Sequence, residues 1–371
     1  MSSEAAGADK AHITLRNDAS ASLSGTFEAK LNDGDWTTIS WEAVGSKIDY
    51  NLVQACDASK ETIGYGEKLQ IRGLDKWNDS YNAYRKLKVV CAAGVKVSGK
   101  LAESLTPEFA ASATAYKLAS FFKGSTGLKD ASRLDLDGIA LATACYSSMF
   151  QGCTSLVNAP ALPATTLASS CYSSMFSSCT SLTSAPALPA TSLASYCYTS
   201  MFYNCTSLAS APALPATTLA RSCYAYMFQG CTSLVNAPAL PATTLASSCY
   251  SSMFSSCTSL TAAPALPATT LARSCYSSMF SSCTSLTAAP ALPATALASS
   301  CYSSMFNGCT GLATQDINLP ATTLADSCYG SMFDNAGTAS TKTVHVPASL
   351  ASEVTDSTFG TNSGVSVVYD L

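Results

Sequence analysis

The stretch LASSCYSSMFSSCTSLTSAPALPATS, residues 167–192, is one copy of a unit that recurs every 26 residues. Two cysteines, a Met-Phe pair and three leucines keep their places in the copies from about residue 145 to residue 301. A final copy follows one residue late, at Cys328. A fixed period of this length is typical of stacked units that each bury an apolar side against the next. The sequence therefore predicts a stack of repeats that the other segments cap or carry.

Charge is almost absent from the repeats. Between residues 141 and 310 the only charged side chains are Arg221 and Arg273, although the whole chain carries 20 Lys and Arg and 24 Asp and Glu. The net charge of −4 favours neither nucleic acid nor an acidic membrane surface as a partner. No apolar run approaches the roughly 18–20 residues that span a bilayer. The surface of the repeats must be neutral and hydrogen-bonding, so we expect salt to affect its binding little.

Fifteen of the 17 cysteines fall in two columns of the repeat. Adjacent turns of a stack lie about 5 Å apart, a spacing that disulfide geometry tolerates, so bridges are one interpretation. The other interpretation is that each thiol is a small buried hydrophobe. The odd number of cysteines in the second column favours the second interpretation. Cys56 and Cys91, outside the columns, could pair across two sheets or stay free.

Before the repeats the sequence is typical of β-structure. After a weakly tethered start (residues 1–11), residues 12–105 contain short segments with β-branched or alternating apolar positions, separated by turns. The segments are HITLRN, GTFEAKLN, WTTISW, KLQIRGL and KLKVVCAAGVKVSGKL. Strands at this spacing predict an Ig-like β-sandwich, with Trp36, Ile39, Trp41 and Val53 in its core.

Both ends of the repeat array are predicted to be capped. Residues 106–140 contain an N-terminal cap and a degenerate first repeat, because Phe122 and Leu128 each precede their counterparts Phe150 and Leu156 by 28 residues. Residues 141–335 are the regular repeats. Residues 336–371 form a C-terminal cap, in which two strands enclose a short helical segment. Charged, atypical end repeats are what such a stack needs to close its exposed ends.

Each repeat is predicted to combine two kinds of local structure. Prolines bracket a leucine in the ALP segment, and because proline lacks an N–H this part should be extended and lie on an edge. The SCYSSMF segment is compatible with a single helical or 3₁₀ turn. One strand-like and one helix-like piece per turn is the plan of a leucine-rich repeat. The predicted fold class is therefore a mixed α/β repeat protein, an Ig-like β-sandwich followed by a capped leucine-rich-repeat solenoid.

The string MF-xx-C-TSL followed by LP-ATTL resembles the BspA-like leucine-rich repeats of bacterial surface proteins. The resemblance covers about residues 116–347, and the closing HVPASL is similar to the terminal turn of that family. It implies a curved solenoid, display outside the cell or on its surface, and adhesion to host proteins or other cells. The 26-residue unit, the first cysteine and the scarcity of charge depart from the family pattern. No binding residue is carried over, because no binding motif is shared.

The sequence argues against an enzyme. The chain has only His12 and His345, and no Asp or Glu lies between residues 141 and 310, so no triad or carboxylate pair can form there. Seven residues separate the two cysteines of a unit, unlike the spacing of zinc ligands. We expect no catalytic activity, no cofactor and no metal.

Three sets of surface residues are candidates for binding. The first is a tyrosine column, expected to be half-exposed and able to grip a glycan or a protein, or else simply to cover the rim of the core. Arg221 and Arg273, two repeats apart in one column, could anchor an anionic ligand. The threonine pairs of the PATT segments suggest ice binding as a minor alternative, although Ser192 and Ala296 interrupt them. The tyrosine column comprises Tyr172, Tyr198, Tyr224, Tyr250, Tyr276 and Tyr302.

The predicted function is that of a non-enzymatic adhesion scaffold, displayed outside the cell, which recognises a host protein, a glycan or another cell through its repeats. The alternative is a structural component of a bacteriophage virion, a fibre or decoration protein that contacts host bacteria or mucus. No signal peptide is recognisable after Met1, which is the reason for this alternative. Its partners would include other subunits of the assembly, and a homo-oligomer is possible in either case.

Overall fold

A computed structural model describes residues 11–17, 23–43, 48–59, 69–72, 85–91, 95–104, 111, 115–337 and 340–371. The chain divides into two compact units. One comprises Met1–Leu162 with Met175–Leu182, and the other comprises Pro163–Ser174 with Thr183–Leu371. Within the described ranges, no helix has both the length and the apolar character needed to cross a bilayer.

The N-terminal part of the first unit contains two antiparallel sheets of three strands each, in the orders β4-β1-β6 and β3-β2-β5. Five of these six strands overlap the predicted segments, whereas β4 was not predicted. The NDGD turn closes with a hydrogen bond from Gly34 N–H to the Leu31 carbonyl at 3.1 Å. The Ig-like topology and the domain boundaries stay predictions. The bounds are β1 Ala11–Asn17, β2 Leu23–Leu31, β3 Thr37–Ala43, β4 Ile48–Asn51, β5 Leu69–Arg72 and β6 Arg85–Cys91.

A short helix, α1 (Leu52–Cys56), follows β4 directly. The Asn51 side chain caps it by accepting the N–H groups of Val53 at 3.0 Å and Gln54 at 3.3 Å. Val53 is fully buried, as expected for the core, whereas Trp36 is only half-buried with the Lys30 ammonium 5.2 Å from its ring. The side chains of Ile39, Trp41 and Cys91 lie outside the described residues. Cys56 is a free thiol.

Ring stacking joins the segment predicted to be a degenerate first repeat to the regular repeats. The Phe122 and Phe150 rings lie 5.2 Å apart and nearly parallel, and Phe150 stacks in turn on Phe176 at 5.5 Å. The strand β8 (Leu128–Asp135) of this repeat pairs in parallel with β7 (Val95–Lys100), which continues into a 3₁₀ turn at Leu101–Ser104. Residues 28 apart in the sequence, such as Phe122 and Phe150, therefore lie in neighbouring layers of the stack.

Each regular repeat contains a run of tight turns in place of the predicted helical piece. In the second unit, the N–H of Cys223 bonds to the carbonyl three residues back, while that of Tyr224 bonds to Cys249, 25 residues ahead in the next repeat. The two kinds of bond alternate along the run. Alternate N–H groups therefore point along the stack, which no helix allows, because a helix directs every N–H to its own segment. The prediction of a helical piece in SCYSSMF was wrong.

The backbone explains this alternation. Every fourth residue of a run has a left-handed conformation, such as Ser248 (φ 55°), Ser252 (φ 52°) and Ser256 (φ 61°). A left-handed residue ends each turn and makes four residues the local period, so that two side chains point inward and the next two outward. Cys249 and Tyr250 are buried, for example, and the two serines after them are half-buried. Serine is small enough for the position, although any non-glycine residue there costs about 1–2 kcal/mol.

The inward columns form two aromatic ladders in the second unit. Neighbouring tyrosines from Tyr172 to Tyr329 stack with ring centroids 5.8–6.1 Å apart. Neighbouring phenylalanines from Phe202 to Phe333 stack at 5.3–5.7 Å. The PATT segments run alongside as isolated parallel bridges, such as Thr218 with Thr244, in keeping with the extended edge that the prolines predict.

A small parallel sheet closes the second unit. Its order is β11-β10-β9, formed by β9 (Gln315–Asn318), β10 (Lys342–Val346) and β11 (Val365–Tyr369). The 3₁₀ turns Ala348–Leu350 and Asp356–Phe359 lie between the last two strands. Phe359 contacts the last rings of both ladders, Tyr329 at 5.8 Å and Phe333 at 6.2 Å. One aromatic side chain thus covers both ladders.

Candidate functional site

The outward side chains of the turn runs form a surface that we call the turn face. In a typical repeat it consists of Ser247, Ser248, Ser251 and Ser252, followed by a third pair at 255–256. Several serine hydroxyls on this face donate to a carbonyl of the following repeat, as Ser251 Oγ does to Ser277 at 3.4 Å and Ser303 Oγ does to Gly330 at 3.2 Å. These hydroxyls are therefore held in place, and between residues 141 and 310 the turn face carries no charge apart from Arg221 and Arg273.

The tyrosine column lies inside the stack and not on this face. All six predicted binding tyrosines are at least 98% buried, because the position after the first cysteine is the second inward position of the four-residue period. Burial raises the pKa of five of these phenols, those of Tyr198, Tyr224, Tyr250, Tyr276 and Tyr302. The Tyr250 hydroxyl has no hydrogen-bond partner within the described part of the chain. The expectation of a half-exposed tyrosine surface was wrong. The six residues are Tyr172, Tyr198, Tyr224, Tyr250, Tyr276 and Tyr302.

The column cysteines are free, buried thiols, as the second interpretation of the sequence holds. Thiols of the second column donate to the phenylalanine carbonyl of the preceding repeat, as Cys257 does to Phe228 at 3.1 Å and Cys309 does to Phe280 at 2.9 Å. Burial raises the pKa of Cys257 to about 12, so these thiols stay protonated and are poor nucleophiles. In the described ranges, no three His, Cys, Asp or Glu side chains are placed to hold a metal ion.

Both predicted arginines lie on the turn face and are exposed. The Arg221 guanidinium lies over the Tyr196 ring of the preceding repeat, with Cζ 5.8 Å from the ring centroid, a cation–π contact. Arg273 occupies the same column two repeats later, and its neighbours on the face are serines. Among the residues that the structure describes, neither arginine has a recorded salt bridge.

Three aromatic side chains lie on the turn face of the two repeats that contain Tyr196 and Arg221. Tyr196 and Tyr203 are half-buried, and Tyr226 is 43% exposed. Backbone hydrogen bonds fix the two repeats in register, from Tyr196 N–H to Arg221 at 2.9 Å and from Ser200 N–H to Ala225 at 2.8 Å. The three tyrosines and Arg221, here named the Tyr-Arg patch, therefore belong to two adjacent layers of one face.

A family model described as BspA type leucine-rich repeat region matches six copies within residues 141–260 and 216–335. These matches span more than half of the chain. The chain belongs to this family. The family is a protein-binding kind of scaffold, is not typically enzymatic and is associated with surface-exposed proteins. No curated protein and no solved structure matches the chain.

Of the Tyr-Arg patch in these BspA-type repeats, the sequence predicted Arg221 but not Tyr196, Tyr203 and Tyr226, because the repeat pattern shows only what the copies share. Its signal is a departure from the shared pattern. At the positions of Tyr196, Tyr203 and Tyr226, most other copies carry serine or another small or polar residue. An aromatic side chain in an outward column, where the core does not require one, is the sign that could have identified it.

The C-terminal end of this BspA-type protein also has an open cavity of about 750 Å³, lined mainly by apolar residues that include Leu292, Ile317 and Pro347. At its edge, His345 Nδ1 lies 2.8 Å from a carboxylate oxygen of Asp370, and Nε2 lies 3.9 Å from Asp316. The carboxylates orient the imidazole, which stabilises the sheet edge. No serine, cysteine or lysine nucleophile lines the cavity.

Proposed function

We propose that the protein is an adhesion protein, displayed outside the cell, which binds a host protein through the turn face of its BspA-type repeats. The observation that carries this proposal is the hydroxyl order of the turn face, in which serine side chains donate to carbonyls of the next repeat. A surface ordered before binding loses little conformational entropy when a partner docks. Membership of a family of protein-binding scaffolds supports the same function.

The edge of the repeats that the PATT segments form is less suited to binding than the turn face. Its exposed threonines, such as Thr217, Thr243 and Thr269, alternate with proline-containing segments and are interrupted at Ser192 and Ala296. This threonine edge provides a matched control, because it offers the same neutral hydroxyl chemistry on another side of the same repeats.

The test uses beads coated with the full chain and measures their adhesion to cultured epithelial cells. Replacing Ser252 and Ser278 by lysine adds two long charged side chains to the turn face. The equivalent residue in another repeat is Tyr226, so we expect both positions to accommodate a large side chain. We expect this double variant to reduce adhesion about tenfold, and we expect the Thr243→Lys/Thr269→Lys control to adhere normally.

Treating the cells identifies the partner class. Loss of adhesion after protease treatment, with no loss after periodate oxidation of cell-surface sugars, is the expected result. The opposite pattern would assign the partner to the glycans. An equal loss from both lysine variants would show that the turn face is not the binding surface.

A further inference from the structure

The Tyr-Arg patch is the one place where the turn face departs from its neutral, small-residue composition in a concentrated way. Three tyrosines and one arginine replace residues that are mostly serine in the other copies, and all four lie in two successive repeats. Tyrosine and arginine are the side chains most enriched among the energetically dominant residues of protein interfaces. Such a cluster on an exposed face has the composition of an interface centre.

The patch also carries a conformational cost that folding does not require. Tyr196 and Tyr226 are both left-handed, with φ of 59°, at positions where the other regular repeats hold serine or, once, alanine in the same conformation. Only the degenerate first repeat has another tyrosine in these two columns, Tyr116, also with φ of 59°. The left-handed region is least favourable for bulky side chains. Because the other regular repeats fold with a small residue at these positions, the fold of a repeat does not require the two tyrosines.

The charge of the patch indicates the chemistry of its partner. The repeats around Arg221 supply no carboxylate to compete for it, since no Asp or Glu lies between residues 141 and 310. Its guanidinium is held over the Tyr196 ring, which leaves its planar edge available for a bidentate contact with a carboxylate. Tyr203 and Tyr226 add apolar area to the turn face of the same two repeats.

We propose that the Tyr-Arg patch binds an acidic segment of the partner protein, with a partner carboxylate on Arg221 and apolar side chains against Tyr196, Tyr203 and Tyr226. This inference rests on the proposed function and names the recognition site within it. Arg273 lacks aromatic neighbours on the face and provides at most a secondary, long-range attraction for the same acidic segment. The patch is thus the centre of the contact, and the turn face of the neighbouring repeats extends it.

The test pans a random peptide library on the full-length protein, with the quadruple serine variant (Y196S, Y203S, R221S, Y226S) used to remove peptides that bind elsewhere. Each substitution restores a residue that other repeats hold at that position, so the variant should keep the fold, which circular dichroism checks. We expect the enriched peptides to contain Asp or Glu beside aromatic or aliphatic residues.

Single substitutions then locate the contact. We expect Arg221→Ser and Tyr226→Ser each to weaken the enriched peptides about tenfold or more, and the matched control Arg273→Ser to weaken them less than about twofold. Raising NaCl from about 50 mM to about 500 mM should weaken binding to the parent chain and have less effect on R221S.

Three outcomes would overturn the proposal. They are no peptide enriched over the quadruple variant, enriched peptides without acidic residues, and equal effects of Arg221→Ser and Arg273→Ser. Failure here is distinguishable from failure of the proposed function, because bead adhesion that survives in the quadruple variant keeps the turn face as a binding surface and excludes only this patch.

Discussion

The regular repeats of the second unit and its C-terminal end satisfy their buried backbone carbonyls with different hydrogen-bond donors. Inside the repeats, N–H and S–H groups bond to carbonyls of the neighbouring repeats, and every buried group is neutral. At the end, no further repeat supplies donors. There the fully buried Lys342 donates to the carbonyls of Ala336 (3.2 Å), Gly337 (2.8 Å) and Ser340 (3.3 Å).

The difference in donors depends on whether a following repeat is present. A repeat can use identical neutral groups because its neighbour presents the complementary surface, whereas the last layer must satisfy its carbonyls from within. The C-terminal end also leaves no room for a side chain at Gly364 (φ 65°), because a Cβ there would lie 2.6 Å from the carbonyl oxygens of Gly337 and Ser340. The two regions should therefore respond differently to pH, to loss of an aromatic ring and to loss of a charge.

The largest expected difference is in alkaline solution. Burial raises the pKa of a thiol from 9.0 to about 12, so above pH 9 the unfolded chain loses thiol protons that the folded chain keeps, and stability falls as pH rises. Five such thiols together remove roughly 7 kcal/mol for each pH unit above 9, comparable to the whole stability of a typical domain. They are Cys153, Cys223, Cys257, Cys275 and Cys309.

We therefore expect the repeats to unfold cooperatively between about pH 9 and pH 11 in the presence of a reductant, measured by near-ultraviolet circular dichroism of the tyrosines. At the C-terminal end the sign is opposite, because desolvation lowers the pKa of Lys342, and the unfolded chain then binds the extra proton up to pH 10.5. One lysine cannot offset five thiols. Repeats that stay folded at pH 12, or whose thiols are alkylated rapidly at pH 8, would contradict the burial argument.

An aromatic ring in the middle of the phenylalanine ladder should matter more than the ring at its end. Phe254 stacks on Phe228 and Phe280, both at 5.7 Å and nearly parallel, whereas Phe359 meets its two neighbours tilted. We expect Phe254→Ala to reduce the free energy of unfolding by about 3–5 kcal/mol in urea titrations, because it leaves a cavity between two layers.

Phe359→Ala removes the same atoms but affects chiefly the last layer. Its main effect should be faster amide exchange near Phe333, whose N–H bonds to the Phe359 carbonyl, with a smaller change in the urea midpoint. Phe359→Leu, which keeps an apolar cover, is the control. If Phe359→Ala lowers the urea midpoint as much as Phe254→Ala does, the end and the repeats unfold as one cooperative unit, and the comparison does not hold.

The sequence was sufficient to predict the leucine-rich repeats, because their signals are periodic. The 26-residue period, the 28-residue offset of Phe122 and the strands of the cap each depend only on the spacing of apolar residues, which burial enforces. The buried thiols followed from the same argument. The family membership rests on the same columns.

The turn run and the exposure of its side chains could not be predicted in this way. A four-residue period arises from left-handed serines, and serine gives no clear sequence signal for that conformation, since it is found in loops, caps and turns alike. With a helical period assumed, Tyr198 and Tyr224 could be placed at the rim of the core, whereas the two-in, two-out period buries them. For the same reason Tyr226 was not predicted to point outward, because its outward position follows only from the four-residue period of the run.

The smallest expected effect concerns Lys342 itself. Methionine at this position keeps most of the side-chain length and removes the charge, so Lys342→Met gains from no longer burying an ammonium group but leaves three carbonyls without their donor. Because unsatisfied buried acceptors cost about 1–3 kcal/mol, we expect a net loss in that range, confined to the C-terminal end. Limited proteolysis should then cleave between the last repeat and β10, while the tyrosine dichroism of the repeats is unchanged. Lys129→Met, an exposed lysine of the first repeat, is the matched control, with an expected change below about 0.5 kcal/mol. A Lys342→Met variant as resistant to proteolysis as the parent chain would show that the lysine is tolerated at the end and does not hold it, and the contrast with the neutral repeats would lose its physical basis.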